Sequence, residues 1–255
     1  MDTNSVPLLH QAAIVTGGKR GLGREIALAL AAAGADVAVC TRRVDDGALQ
    51  AVVDDVEKLG RRSLGVQADT SRKADVDNMV DKVITRFGRI DILVNNAAVL
   101  IKGAMLEMPE DDWDRHFDVN VKGYFLFSRA AAKKMVEQRK GCIINISSDL
   151  AFKAAPGMGA YCVSKAGVIM LTRVLAQELG PYGIRVNAVA PGIFRTQFSE
   201  PDWSDPDLLK HMEAMTPLGR IGEVEDMTGA ILFLASDASK YISGSTILIN
   251  GGASA

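Results

Sequence analysis

Short apolar segments alternate with longer amphipathic segments along almost the whole chain, and this alternation restricts the possible folds more than any other feature. The short segments predict strands at residues 12–16, 36–41, 63–67, 92–94, 142–146, 184–189 and 246–249. The longer segments predict helices at 22–33, 44–59, 72–87, 109–139 and 224–235, together with one through Tyr161 that ends near Gly180. Strands that alternate with crossover helices form parallel sheets with helices on both faces. The sequence therefore predicts an α/β fold, a doubly wound sheet of seven parallel strands in a single domain, residues 1–255.

The composition is that of one globular domain and disfavours several classes of partner. With 255 residues, 48% of them hydrophobic, the chain is long enough to bury a sheet on both faces. A formal net charge of −2 and the lack of a basic block argue against nucleic acid as a binding partner. No charge-free apolar run approaches the roughly 18 residues that a membrane span needs, which argues against a membrane partner. The first seven residues lack the features of a secretory signal, and three cysteines without CxxC spacing indicate reduced thiols. Reduced thiols are typical of the cytoplasm, where we expect this protein to be located. We expect no metal site, because the three histidines are scattered along the sequence.

A glycine-rich segment joins the first predicted strand to the first helix. Gly17, Gly21 and Gly23 are spaced G-x3-G-x-G, which differs from the commoner G-x-G-x-x-G. Glycines let the backbone turn sharply and approach a pyrophosphate, whose negative charge is favoured by the N-terminus of a helix. The alternative is a glycine-rich turn that serves only to pack the strand and the helix. Its position at the first strand–helix connection favours a dinucleotide site.

Tyr161 and Lys165 are four residues apart at the start of an apolar helix, so both side chains lie on one face. A phenol normally keeps its proton to about pH 10, and a neighbouring ammonium lowers that pKa. Tyr161 is thereby a candidate to donate a proton to a carbonyl oxygen, or to accept one from an alcohol. The alternative is a helix that happens to contain one tyrosine and one lysine.

These motifs and several others occur in the order typical of one enzyme family. Thr16-Gly17-xxx-Gly21-x-Gly23, Asn95-Asn96-Ala97, Asn120, Ser148, Tyr161-xxx-Lys165, Pro191-Gly192 and Ile249-Asn250-Gly251-Gly252 resemble the successive signatures of the short-chain dehydrogenase/reductase family. The resemblance covers residues 12–252, and although each motif is weak alone, the ordered set is highly specific. It implies a Rossmann-type fold and hydride transfer between a nicotinamide cofactor and a ketone or secondary alcohol.

The resemblance also implies a catalytic tetrad. Tyr161 would supply the proton, and Ser148 would polarise the substrate oxygen. Lys165 would lower the pKa of Tyr161 and bind ribose hydroxyls, while Asn120 would hold a water relay from Lys165 to solvent. Ser147 is a neighbour that could be mistaken for the catalytic serine, and the family spacing favours Ser148.

The resemblance further implies a set of cofactor-binding residues: Gly17, Arg20, Gly21, Leu22, Gly23, Arg42, Asp69, Thr70, Asn96, Tyr161, Lys165, Ile193 and Thr196. Asn96 is expected to face a ribose, and Asp69 with Thr70 to face the adenine. For Asp69, a cap on the following helix is a serious competing role. Thr196, with Ile193 nearby, is expected at the carboxamide of the nicotinamide.

The end of the second predicted strand indicates which cofactor is used. NAD-specific relatives carry an acidic residue there, whose carboxylate binds both ribose hydroxyls of the adenosine. Here that position is Thr41, followed by Arg42, and Arg20 stands where NADP-using relatives often have a basic residue. Two guanidinium groups that converge on a 2′-phosphate favour NADP (NADPH), with NAD as the alternative. Against this, Arg42 could be a solvated loop charge or pair with Asp45 or Asp46.

The substrate is less well defined. Residues 192–222 form an irregular candidate lid, and large apolar side chains are expected around the pocket: Leu150, Phe152, Met158, Phe194, Phe198, Trp203 and Met212. They favour a small-molecule ketone that is bulky and apolar, such as a 3-oxoacyl thioester, unless they serve only to pack the lid. The alternative is an NAD-dependent dehydrogenase of polyols, sugars or hydroxysteroids, and a remote alternative is a cofactor-binding regulator without catalysis.

Two predicted helices are apolar on more faces than one sheet can cover, namely the helix through Tyr161 and residues 117–131 of the helix before it. Paired across a two-fold axis, a second copy of the chain would cover their outer faces. The family commonly forms tetramers through this surface and the C-terminal strand. We therefore expect a homotetramer, with a dimer as the alternative.

Overall fold

The computed structural model describes residues 7–44 and 46–254. The predictions that concern the first six residues and Asp45 lie outside the described residues. The described part of the chain forms one sheet with helices packed on both of its faces, so the predicted α/β fold is confirmed.

The sheet consists of seven parallel strands, within two residues of the predicted bounds. They are β1 (Ala12–Thr16), β2 (Asp36–Thr41), β3 (Ser63–Gln67), β4 (Ile92–Asn95), β5 (Gly141–Ile146), β6 (Ile184–Pro191) and β7 (Thr246–Ile249). Their order in the sheet is β3-β2-β1-β4-β5-β6-β7, and Ile14 of β1 pairs with Ala38 on one side and with Leu93 on the other. The order reverses between β1 and β4, and doubly wound sheets bind ligands beyond the carboxyl ends of their strands at such a reversal.

The helices connect these strands and cover both faces of the sheet. They are α1 (Gly21–Ala32), α2 (Ala48–Lys58), α3 (Lys73–Phe87), α4 (Glu110–Phe117), α5 (Gly123–Gln138), α6 (Gly159–Leu179), α7 (Glu200–Trp203), α8 (Pro206–Met215) and α9 (Thr228–Ala235). Short 3₁₀ turns follow β5 at Asp149–Ala151 and precede α9 at Val224–Met227.

Two apolar cores form because successive strand residues point to opposite faces. Val15 and its neighbours pack against α1, α2 and α9 on one face, while Ile14 and its neighbours pack against α3, α5 and α6 on the other. The strands are buried on both faces, and each fully buried aliphatic or aromatic side chain contributes about 1.5–3 kcal/mol. Both cores together hold the strand ends rigidly beside one another.

Two predicted helices differ from the observed ones for local reasons. The helix predicted at 44–59 begins only at Ala48, because Gly47 takes a left-handed backbone with φ of 68° and Asp46 accepts a hydrogen bond from the Ala48 N–H. The helix predicted at 109–139 is interrupted by a π-helical turn at Asp118–Lys122. Such single turns inside α-helices are rare and often occur at functional sites.

One helical segment, Gly159–Tyr182, is long and apolar enough by composition to span a membrane. It comprises α6 and the 3₁₀ turn that follows, packs on β6, and buries residues such as Val168 and Thr172. Its apolar character is therefore accounted for by its place in the core of the domain. The three cysteines, Cys40, Cys142 and Cys162, are free thiols.

Candidate active site

A cavity of about 1200 Å³ lies at the carboxyl ends of the strands. Its wall begins at the glycine loop after β1, continues past the ends of β2 to β6, and ends under α8. All of the predicted cofactor residues and three of the four predicted catalytic residues line it; Asn120 lies behind the wall. In the described part of the chain, no cluster of His, Cys, Asp or Glu is arranged to hold a metal ion.

The glycine loop has no room for side chains at two of its positions. A Cβ on Gly17, whose φ is 66°, would lie 2.9 Å from the Cα of Ala97, and one on Gly23 would collide with the carbonyl oxygen of Gly17. Asn96 fixes this loop, because its amide donates to the carbonyl oxygens of Thr16 at 2.9 Å and Gly17 at 3.2 Å. Both amide donors of Asn96 thus point to the loop backbone, although the residue lines the cavity beside the expected ribose.

Tyr161 lies at the start of α6, is 8% exposed, and faces the cavity beside Ser148. Burial raises the pKa of Tyr161 above its ordinary value, and the nearby Asp149 carboxylate acts in the same direction. A hydrogen bond from Ser148 opposes this rise in pKa without reversing it. The phenol is therefore protonated at neutral pH.

Lys165 lies one turn after Tyr161, is 1% exposed, and borders the cavity. Its Nζ donates to the carbonyl oxygen of Ile146 at 2.7 Å and to the hydroxyl of Tyr124 at 3.3 Å, and lies 5.6 Å from the centre of the Tyr161 ring. Burial lowers the pKa of Lys165 to about 7. Burial is the largest influence on the pKa of Tyr161 and raises it, so no net lowering is seen, and a lowering contribution from Lys165 stays a prediction.

Asn120 lies in the π-helical turn and is fully buried. Its Oδ1 accepts from the Val99 N–H at 2.9 Å, and its Nδ2 donates to the Val99 carbonyl oxygen and to the Ser164 hydroxyl, each at 3.0 Å. Every polar atom of the side chain therefore holds the backbone after β4 against α6. The water relay implied for Asn120 stays a prediction.

The two serines after β5 have different surroundings. Ser147 is 1% exposed and donates its hydroxyl to the carbonyl oxygen of Lys165 at 2.8 Å. Ser148 caps the 3₁₀ turn that follows, where its Oγ accepts from the Leu150 N–H at 3.2 Å, and it stands beside Tyr161 at the cavity. The geometry therefore favours Ser148 over Ser147 as the serine that contacts a substrate.

The end of the cavity where the adenosine is expected is lined by the basic residues Lys19, Arg42 and Arg43. Thr41, Arg42 and Asp69 line it together, and Thr70 is buried there against Gly123. Burial alone would raise the pKa of Asp69, but hydrogen bonds from the backbone and hydroxyl of Ser71, with the positive charge of Arg42, lower it. Asp69 thus stabilises the turn before α3 as well as lining the cavity.

The basic side chains around this end do not all point the same way. Arg20 donates to the Oε1 of Gln197 at 3.0 Å, across the cavity mouth. Lys19, which the sequence interpretation did not single out, pairs with Asp46 at 2.5 Å and also lines the cavity. Asp46 is therefore engaged by Lys19 and not by Arg42. The predicted convergence of Arg20 and Arg42 on one phosphate stays a prediction.

The segment 192–222 covers the cavity and contains α7 and α8. Thr196 comes within van der Waals contact of the position that a Cβ on Gly21 would occupy, and Ile193 lines the cavity beside it. Trp203 donates its indole N–H to the Thr196 carbonyl oxygen at 2.9 Å and stacks on Arg195. These contacts place the segment directly against the glycine loop.

The far wall of the cavity is largely apolar: Leu100, Leu150, Met158, Phe194, Phe198, Met212, Met215 and Leu218. Two expected residues do not belong to it. Phe152 is half exposed outside the cavity, and Trp203 packs the covering segment as described above. Phe194 is buried against Gly222, so only its edge reaches the cavity.

Several neighbours of the tetrad were not predicted. Asp149 is 6% exposed and pairs with Lys153 at 2.8 Å on the substrate side. Tyr124 contacts Lys165 from α5 and lies one helical turn after Asn120, a spacing that could have marked it in the sequence.

Comparisons with known proteins agree with this geometry. A family model described as enoyl-(acyl carrier protein) reductase matches residues 17–254. Over 244 residues the chain is 41% identical to the 3-oxoacyl-[acyl-carrier-protein] reductase FabG of Staphylococcus epidermidis, with 96% of this chain and 99% of that protein covered. A short-chain type dehydrogenase/reductase from Mycobacterium marinum superposes with a TM-score of 0.92 at 41% identity, covering 98% of each chain. The chain belongs to the short-chain dehydrogenase/reductase family.

A third relative carries a bound nicotinamide cofactor. The gluconate 5-dehydrogenase from Burkholderia cenocepacia in complex with NADP and tartrate superposes with a TM-score of 0.93 at 33% identity, covering 98% of this chain and 97% of that one. As a short-chain dehydrogenase/reductase, the chain is an oxidoreductase that transfers hydride between a nicotinamide cofactor and a small-molecule ketone or secondary alcohol.

Proposed function

We propose that this enzyme uses NADPH to reduce a bulky, partly apolar ketone, with a 3-oxoacyl thioester as the preferred class. The observation that carries the proposal is one continuous cavity, which runs from the basic end at Thr41 and Arg42, past Ser148 and Tyr161, to an apolar wall.

The loop after β1 fits the pyrophosphate of a dinucleotide. Side chains at Gly17 and Gly23 would collide with Ala97 and with the loop backbone, so only glycine permits this tight turn. No side chain caps the start of α1, which leaves its N–H groups available to a phosphate. NADPH, when bound, supplies the hydride. Gly21, Leu22 and the neighbouring glycines would hold its phosphates, and Ile193 and Thr196 would border its nicotinamide.

The chain's own residues handle the proton. Tyr161 is protonated and would donate to the substrate oxygen as negative charge develops there, while the Ser148 hydroxyl would donate a second hydrogen bond to the same oxygen. Lys165, one turn below, would hold positive charge beneath Tyr161 and offer an N–H to a ribose hydroxyl. Asn120 would keep the backbone at Val99 in place through its two hydrogen bonds there. It would thereby support the water relay that returns a proton to Tyr161.

The preference for NADPH is supported by charge at the adenosine end. Thr41 carries no carboxylate to repel a 2′-phosphate, and Arg42 is exposed beside it without an ion pair to any described residue. A guanidinium can meet a phosphate with two parallel hydrogen bonds. FabG and the NADP-bound gluconate dehydrogenase are relatives consistent with this choice.

The proposed substrate class is supported by the far wall and by the likeness to FabG. Phe198, Met212 and Met215 come from the covering segment, which we propose acts as a lid over an apolar acyl chain. The second candidate is a polar hydroxy acid or sugar, favoured by the Asp149–Lys153 ion pair on the same side and by the likeness to gluconate 5-dehydrogenase.

A substrate panel tests the proposal. Oxidation of NADPH and of NADH is followed by absorbance with a 3-oxoacyl thioester, a keto acid derived from a sugar, and a steroid ketone. We expect the highest kcat/KM for the thioester with NADPH. Turnover of the sugar-derived keto acid alone would contradict the apolar substrate and support the second candidate. Cofactor binding without turnover of any substrate would indicate a regulator.

We also propose a homotetramer in the cytoplasm. Phe125, Val163, Met170 and Val174 expose apolar surface on α5 and α6, and Leu248 does so on β7. Light scattering at micromolar concentration should give the mass of a tetramer or, as the alternative, a dimer. A monomer would contradict both.

A further inference from the structure

The ammonium of Lys165 is held by two neutral oxygen atoms that belong to other elements of the fold. It donates to the Ile146 carbonyl oxygen at the end of β5 and to the Tyr124 hydroxyl on α5. The Tyr124 hydroxyl in turn donates to the same carbonyl oxygen at 3.0 Å. The three groups form a closed hydrogen-bonded triangle, and Lys165 forms no ion pair with any residue that the structure describes.

This environment makes each acceptor important. Lys165 and Tyr124 are each 1% exposed, so both side chains are almost fully removed from bulk solvent, although Lys165 borders the cavity. A buried ammonium is stable only when hydrogen bonds or opposite charge compensate for its lost hydration. Burial already lowers the pKa of Lys165 to about 7. Small changes in its hydrogen bonding therefore change its charge near neutral pH.

Tyr124 is suited to accept from Lys165. Burial raises its pKa well above the ordinary value, so it remains a phenol that donates its proton to Ile146 and offers a lone pair to the ammonium. Its ring also lies 5.1 Å from the Lys165 Nζ. A cation near the ring of a tyrosine is attracted by its π electrons.

The other titratable groups around Lys165 are few. On its own helix these are Tyr161, whose ring centre is 5.6 Å from the Nζ, and Cys162 next to it. On α5 there is Tyr124, and after β5 there is Asp149, whose charge acts on Tyr161. Asn120, one turn before Tyr124, bonds to Ser164, so this stretch of the chain holds two successive residues of α6.

We propose that Tyr124 is a positioning residue of the active site, which keeps the Lys165 amine charged and directed beneath Tyr161 through the triangle with Ile146. The proposal rests on the roles proposed above for Tyr161 and Lys165. It assigns to Tyr124 no contact with substrate or cofactor. One N–H of the ammonium is left for a ribose hydroxyl.

The first test is the pH profile of ketone reduction by Tyr124→Phe, which keeps the ring and removes the hydroxyl. Loss of one hydrogen-bond acceptor favours the neutral amine of Lys165, so the pH at which kcat declines on the alkaline side should fall by about one unit. At a fixed pH on that declining limb, this shift corresponds to about a tenfold loss of kcat. The matched control is Tyr182→Phe, since Tyr182 is half exposed at the end of the same helical segment and its hydroxyl bonds to no described residue. The control should keep the wild-type profile.

The second test needs no cofactor and no turnover. Hydrogen bonds to a charged group are stronger than those to a neutral one, so Tyr124→Phe should lower the melting temperature of the NADPH-free protein more at about pH 6 than at about pH 9. In a Lys165→Met background the same change should have little effect at either pH. If Tyr124→Phe alone does not fold, recovery of folding in the Lys165→Met background supports the proposal, and failure to recover contradicts it.

The outcomes separate this inference from the proposed function. A wild-type pH profile together with a loss of melting temperature that is the same at both pH values would show that Tyr124 is only a core residue. If Tyr161→Phe retains wild-type turnover, the proposed roles in catalysis fail, whereas the melting-temperature cycle still decides whether Tyr124 supports the charge of Lys165.

Discussion

Replacing Arg42 with alanine removes a positive charge from the wall of the cavity next to Thr41, where the 2′-phosphate of NADPH is proposed to lie. Asp46, which was expected to compete for this charge, is engaged by Lys19 at 2.5 Å, and Asp69 is a carboxylate whose pKa is lowered in part by the charge of Arg42. Arg42 is therefore available to a phosphate.

The size of the effect follows from the exposure of Arg42. A hydrogen bond to a charged group contributes about 1.5–3 kcal/mol, and because the guanidinium is exposed, screening by salt favours the lower half of that range. We expect Arg42→Ala to weaken NADPH binding by about 10- to 30-fold, which corresponds to about 1.4–2 kcal/mol. NADH, which has no 2′-phosphate, should bind with nearly unchanged affinity.

The assay is a titration of both reduced cofactors by nicotinamide fluorescence at two salt concentrations. Arg86→Ala is the matched control, because it removes the same charge from an exposed position at the end of α3 outside the cavity. Thr41→Asp should go further and reverse the preference through like-charge repulsion. A change in NADPH affinity below about threefold, or an equal change for NADH, would refute the assignment of Arg42.

Other consequences concern the loop and the sheet. Gly23→Ala should reduce NADPH affinity at least about tenfold, because its Cβ would collide with the Gly17 carbonyl oxygen, whereas Gly180→Ala, in open space, should not. Asp36→Asn should destabilise the fold by roughly 1–3 kcal/mol at neutral pH, since the buried carboxylate accepts from Arg61 and Arg62. Burial alone would raise the pKa of Asp36, but these partners lower it below its ordinary value of 3.8. The stability that the carboxylate contributes is therefore present above about pH 4 and is lost as the pH falls through the pKa of Asp36 in the folded protein. Melting temperatures of both proteins should converge in acid; a constant difference would contradict this.

The features of the fold and the site that were predictable from the sequence depend on local geometry. The spacing of Gly17, Gly21 and Gly23 reflects steric limits within one turn, and the pairing of Tyr161 with Lys165 follows from helical periodicity. Alternation of strands and helices was sufficient to predict the parallel sheet, because crossover connections admit few topologies.

The parts that were not predictable depend on contacts between residues distant in the chain. Arg20 bonds to Gln197, and Lys165 bonds to Ile146 and Tyr124, which come from different elements. A pattern of residue types contains no information on which of several buried acceptors an ammonium will meet. The rise in the pKa of Tyr161 was likewise not predictable, because it depends on burial by elements that are distant in the chain.

The central claim is that Tyr161 donates the proton in a reduction driven by NADPH. It is tested most directly by single-turnover reduction of the best substrate by wild type and by Tyr161→Phe, with NADPH affinity measured on the same samples. We predict that the variant binds NADPH as wild type does and transfers hydride at least about 100-fold more slowly, as expected for loss of a general acid. A rate within a few-fold of wild type, with cofactor binding intact, would contradict the claim.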